Sequence, residues 1–133
     1  MLTSFDQLAS DAILEGGGRF VKLIGDEAMF VATGPSAACE IALDLAARLS
    51  AHPRLPQGRG AVAAGDILAR DGDYFGPVVN LAARAVKLAD PGCVLVSGDL
   101  ARQASRFRLR DAGAQRLDGF DDPVELFRLE RAE

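Results

Sequence analysis

The stretch from Arg19 to Thr33 constrains the fold more than any other part of the chain. It holds two apolar, β-prone runs, Arg19 to Ile24 and Ala28 to Thr33, separated by Gly25, Asp26 and Glu27. Two such runs around a short Gly-Asp turn predict a β-hairpin. A hairpin commits the chain to antiparallel pairing, and the flanking patterns add helices. Phe5, Leu8, Ala9, Ala12 and Ile13 recur at three- and four-residue spacing and predict a helix over 3–15, with Ser4 and Gln7 as a capping box. Gly16, Gly17 and Gly18 stop that helix. After the hairpin, Gly34-Pro35 breaks the chain. Ser36 is the expected N-cap of a helix running to about His52, its apolar face built from Ala37, Ala38, Ile41, Ala42, Leu45 and Leu49.

The second half alternates in the same way. Two prolines mark a loop over 52–58, and the small apolar run Arg59 to Leu68 predicts a strand buried on both faces. Asp71-Gly72-Asp73 is a turn signal. Pro77 suits the first position of a helix expected over Val78 to Leu88, which Pro91-Gly92 ends. Further strands are expected at Cys93 to Val96, Phe107 to Leu109 and Val124 to Leu129, with a short helix from about Gly98 to Ser105. The pattern predicts an α/β or α+β sandwich, helices packed against one sheet, in a single domain over 1–133.

Composition narrows the function. The net charge is −4 and the pI near 5.0, which excludes a broad basic surface for nucleic acid. No apolar run approaches the roughly 18 residues of a membrane span, and no secretory leader opens the chain. Cys39 and Cys93 make neither a metal-ligand spacing nor a disulfide framework, so both read as core thiols of a reduced, cytoplasmic protein. Glu40, Asp44 and Arg48 are spaced as a solvated helix face.

Two segments break the apolar pattern. In the first, Lys22 lies inside an apolar strand and Asp26 sits on the turn that follows. A carboxylate on a tight turn suits a hard cation such as Mg²⁺, which takes oxygen ligands. Gly-Asp is equally ordinary turn chemistry, and a strand lysine can point into solvent. In the second, Asn80 and Arg84 are four residues apart near a helix start and share one face, with Val79, Ala82, Ala83 and Val86 expected on the core side. The guanidinium fork matches phosphate oxygens, and a helix N-terminus favours anions. The same spacing also describes a plain solvated face.

Together the segments form K-x-x-G-D (Lys22 to Asp26) followed by D-x-x-G-x-x-x-N-x-x-x-R (Asp73 to Arg84). In this order, with the intervening helix and strand, they resemble the catalytic domain of the class III nucleotidyl cyclases, the adenylate and guanylate cyclases. The resemblance runs from about Phe5 to Arg128. It implies a ferredoxin-like fold and conversion of ATP to 3′,5′-cyclic AMP and pyrophosphate by two-metal attack of the ribose 3′-oxygen at a dimer interface. Lys22 and Asp73 would read the purine, Asn80 would position the ribose, and Arg84 would stabilise charge on the phosphate. Asp26 would bind Mg²⁺ or Mn²⁺. The implied partners are ATP and a second cyclase chain, as a homodimer or heterodimer.

The family's opening strand carries a motif close to F-x-D-x-x-G-F-T, whose Asp is the other metal ligand. These 133 residues contain no such motif, and Asp6 and Asp11 fall on the first helix instead. A second expectation follows: a catalytically degenerate cyclase-like module that lacks the first strand and binds nucleotide or pairs with an intact cyclase chain. Such a module would supply the half-site made of Lys22, Asp73, Asn80 and Arg84.

Overall fold

A computed structural model describes residues 4–24, 27–104 and 106–132. The first helix, α1 (Ser4–Glu15), buries Ala9, Ala12 and Ile13, the face expected from their spacing. Gln7 donates from its side chain to Asp11 Oδ1 at 2.9 Å, one turn further on. The hairpin follows as β1 (Arg19–Ile24) and β2 (Glu27–Val31), paired antiparallel. Gly18 lets it dock closely. A Cβ there would lie 2.7 Å from Ile41 Cδ1 and 3.2 Å from the Val31 carbonyl oxygen.

Helix α2 (Pro35–Ala51) begins one residue before the expected cap. Gly34, not Ser36, is the N-cap, because Pro35 needs no partner for an N–H it lacks and has its φ preset for the first turn. The helix buries Ala38, Cys39, Ile41, Ala42, Ala46 and Leu49. Its outer face is stitched by ions: Arg48 bonds Glu15 on α1 and Asp44 on its own helix, and Glu40 meets Arg131 at 2.6 Å.

The strand expected over Arg59 to Leu68 is shorter. Only β3 (Gly60–Val62) forms, and only Val62 in it is buried. The chain then passes close to the next helix, where a Cβ on Gly65 would meet Val78 Cγ2 at 2.4 Å, and it cannot continue along the sheet. A second hairpin follows, β4 (Leu68–Arg70) and β5 (Asp73–Phe75), joined by Asp71 and Gly72 at φ 52° and 78°. Both turn residues have positive φ, as a two-residue hairpin turn of the primed kind requires. Asp73 therefore belongs to a strand and not to the turn.

Helix α3 (Pro77–Ala85) runs into a 3₁₀ turn (Val86–Leu88), so the helix expected to Leu88 tightens in its last three residues. Then come β6 (Val94–Ser97), α4 (Gly98–Ala101), β7 (Phe107–Gln115) and β8 (Val124–Arg131). The helix expected to reach Ser105 stops at Ala101, and Ser105 itself lies outside the described residues. Strand β7 extends six residues past the expected Leu109, carried across a bulge between Asp111 and Ala114.

The main sheet has the order β3-β6-β8-β7, with β3 and β6 parallel and the other pairs antiparallel. On one face, Val62, Val94, Val96 and Leu129 join Ala38, Cys39, Ala42 and Ala46 of α2, with Phe30 of β2 packed at the margin. On the other face, Leu95 and Leu126 meet Ala85 and Ala89 behind α3. Among the described residues the strands of each hairpin pair only with each other. No helix among those residues is long and apolar enough to cross a membrane.

Candidate functional site

The site is built where the two hairpins and α3 come together. Lys22 on β1 and Asp73 on β5 are far apart in sequence, yet Lys22 Nζ lies 2.5 Å from Asp73 Oδ2. The Tyr74 backbone N–H donates to the other carboxylate oxygen at 2.8 Å. These two donors, the lysine first, hold the Asp73 carboxyl below the ordinary aspartate range. A second tether lies beside the ion pair: the Arg19 guanidinium sits over the Tyr74 ring, 6.0 Å from its centroid.

Strand β5 leads directly into α3. Gly76 is the N-cap at φ 139°, a conformation that strains any side chain, and its carbonyl accepts the Asn80 N–H at 3.2 Å. Helix α3 packs on β3 and β5. Asn80 and Arg84 are both exposed, one turn apart. Among the described residues neither side chain has a partner. The core side of the helix differs from expectation. Ala85 is buried and Leu81 packs beside it, Val79, Ala82 and Val86 are half-buried, and Ala83 faces solvent. The helix is rotated toward its Leu81–Ala85 edge because Leu95 and Leu126 of the sheet offer their surface there.

Of the residues singled out by sequence, the structure joins Lys22 to Asp73 and places Asn80 and Arg84 on the helix that β5 feeds. Asp26 lies outside the described residues. Among the described residues, no group of three or more His, Cys, Asp or Glu side chains gathers as a metal set.

Two participants escaped the sequence reading. The Asp71-Gly72 dipeptide is a hairpin signal, but Leu68-Ala69-Arg70 shows no apolar alternation to pair with it. Arg19 carries no signal, since residues three apart on a regular strand point to opposite faces. Around the ion pair the surface is apolar: Leu23 and Ile24 on β1, Ile67 before β4, and the paired Leu68 and Phe75 are all at least 40% exposed. A cavity of about 370 Å³ lies elsewhere, lined in part by Leu88, Cys93, Arg110, Leu126 and Arg128, and none of the site residues line it.

The fold has solved relatives. An adenylate/guanylate cyclase/hydrolase from Silicibacter pomeroyi superposes with a TM-score of 0.78 at 27% identity, over 96% of this chain and 80% of that one. The fold is that of the cyclase catalytic domains. Sequence agrees with the cyclase fold. An adenylate cyclase from Glutamicibacter nicotianae is 42% identical over 131 residues, covering 95% of this chain and 32% of the relative. One from Streptomyces coelicolor is 33% identical over 141 residues, covering 98% and 36%. The chain thus spans about a third of the length of the curated relatives it matches. No protein-family model matches it.

Proposed function

We propose that this chain is an adenylate cyclase catalytic domain that converts ATP to 3′,5′-cyclic AMP and pyrophosphate at a site shared between two cyclase chains. The observation that carries the reading is the Lys22–Asp73 pair at 2.5 Å, set on the strand that enters the Asn80–Arg84 helix. An ammonium donates to adenine N1, and a carboxylate accepts from the N6 amino group. Guanine presents the opposite pattern at both positions, an N–H and a carbonyl. A lysine beside an aspartate therefore favours adenine. In the chain as it stands the two groups satisfy each other, so the base exchanges one charge-assisted contact for two of its own.

Asn80 has a free amide for the ribose, and Arg84 presents a planar donor fork for phosphate oxygens. Charge that develops on the α-phosphate during attack by the ribose 3′-oxygen is stabilised by that guanidinium. The exposed Leu23, Ile24, Leu68 and Phe75 beside the pair give a second chain an apolar surface to cover. Mg²⁺ or Mn²⁺ is the cofactor we assign, with Asp26 as this chain's ligand.

That same observation favours a second reading. The chain contributes the purine-reading and Asn/Arg half of a site, and an intact cyclase chain contributes the metal half.

Cyclic AMP formation from ATP, with Mg²⁺ or Mn²⁺, separates the two readings. Turnover by the chain alone that disappears in Asp26→Ala establishes the first. No turnover alone, but recovery on mixing with an intact cyclase disabled at its own Lys, Asn or Arg, establishes the second. Absence of activity in both experiments sinks the proposal.

A further inference from the structure

A lysine in the middle of an apolar strand needs a reason to face solvent, and the pairing of β1 with β2 supplies one. Arg19 pairs with Val31 and Phe20 with Phe30, but Lys22 then pairs with Met29. Val21 is left over, a one-residue bulge. Side chains alternate along a strand, so in a regular hairpin Lys22 would share the face of Phe20 and Phe30. Phe30 packs against the main core. The extra residue shifts the alternation by one, and Lys22 joins Arg19, Val31 and Met29 on the opposite face. From that face both cations reach β5, Lys22 to Asp73 and Arg19 to Tyr74, which are consecutive residues.

We propose that the exclusion of Val21 from the hairpin pairing sets the base selectivity of the nucleotide site, by turning Lys22 from the core face to the face where Asp73 meets it. Arg19 is a positioning residue in this arrangement: through Tyr74 it holds β5 against β1. The inference rests on the purine-reading role of Lys22 and Asp73 proposed above, and it adds how that pair is assembled.

The test changes the register without touching either residue. Inserting one Ala between Met29 and Phe30 of the full chain gives Val21 a partner, removes the bulge and turns Lys22 to the core face. Deleting Val21 in that insertion background puts the odd residue on β2 and returns Lys22 to the Arg19 face. Binding of ATP and of GTP is titrated separately by calorimetry, and the Asp73 carboxyl is followed by carbon-detected NMR against pH. The insertion lowers the ATP-over-GTP ratio by about tenfold, the size of one hydrogen bond to a charged group, and raises the Asp73 titration toward the ordinary aspartate range, with the Tyr74 N–H bond remaining. The deletion in the insertion background restores both. A general loss of structure would not be repaired by removing a further residue.

Deletion of Val21 alone keeps every β1–β2 pair and therefore keeps the preference for ATP. This variant decides the matter if the insertion does not fold, since loss of the preference in a folded deletion variant overturns the inference. So does a preference, or an Asp73 titration, that the insertion leaves unchanged in a folded chain; either result leaves the purine reading standing. A wild-type chain that binds the two nucleotides alike overturns the purine reading itself.

Discussion

Every residue of β6 is buried and every residue of β4 is exposed, although both are short strands of one small domain. Around β6, Val94 and Val96 point into the cluster under α2, and Leu95 points to the cluster under α3. Among the described residues β4 pairs only with β5, and the second hairpin is held at its β5 side by α3, Lys22 and Arg19. One region is held by apolar area removed from water, which is non-directional and large in sum. The other is held by a few directional contacts between charges and a ring. The residues proposed to meet the nucleotide all sit on or next to the second kind of structure, where rearrangement costs little.

This contrast is open to challenge by mutation. The largest expected effect is in the core. Leu126 of β8 is fully buried against Ala85, Ala89 and Leu95, and Leu126→Ala should cost about 2–5 kcal/mol in urea unfolding. Gly18→Ala comes next, at about 1–3 kcal/mol, because the new methyl must displace Ile41 against the Val31 carbonyl. Leu68→Ala, on the exposed hairpin, should stay within about 0.5 kcal/mol in the same assay. A large loss there would mean that the hairpin is part of the cooperative core, and the comparison would fail.

The smallest effects concern titration. Asp73 has a folded-state pKa below its unfolded value, so its contribution is present above the unfolded pKa and is lost as pH falls through the lowered one. Unfolding measured from pH 7 downward should therefore show a loss in the wild type that Asp73→Asn lacks. Cys39 behaves in the opposite sense. Burial, with Glu40 adding to it, pushes its thiol up to about 11, and its contribution fades as pH rises above the ordinary thiol value of 9.0. Alkylation of Cys39 at pH 8 should follow unfolding and not precede it.

Much of this contrast can be read from the sequence, for reasons that particular residues make plain. The bounds of β1 were legible because three glycines precede Arg19 and the sequence signal Gly-Asp follows Ile24. Pro77 marks the start of α3 because its missing N–H is harmless only in a first turn. Asn80 and Arg84 share a face by spacing alone. The β4–β5 hairpin was missed because a strand that buries nothing leaves no apolar period. The length of β3 was missed because the chain leaves the sheet after Val62 and then packs Gly65 against Val78 of α3, a contact that no local pattern announces. Lys22 was legible as an anomaly, but its explanation was not. A bulge is a property of two strands in register, and Val21 looks like any other apolar strand residue until Met29 and Phe30 are set opposite it.

The Asp71–Gly72 hairpin also implies two clocks in one molecule. Amides of β6 and β8 lie inside the main sheet, so their exchange with solvent deuterium must wait for global unfolding. Amides of β4 and β5 are protected only by each other and by a handful of tethers, so they should exchange through local opening, orders of magnitude sooner. A nucleotide that engages Lys22 and Asp73 would slow the second clock and leave the first unchanged.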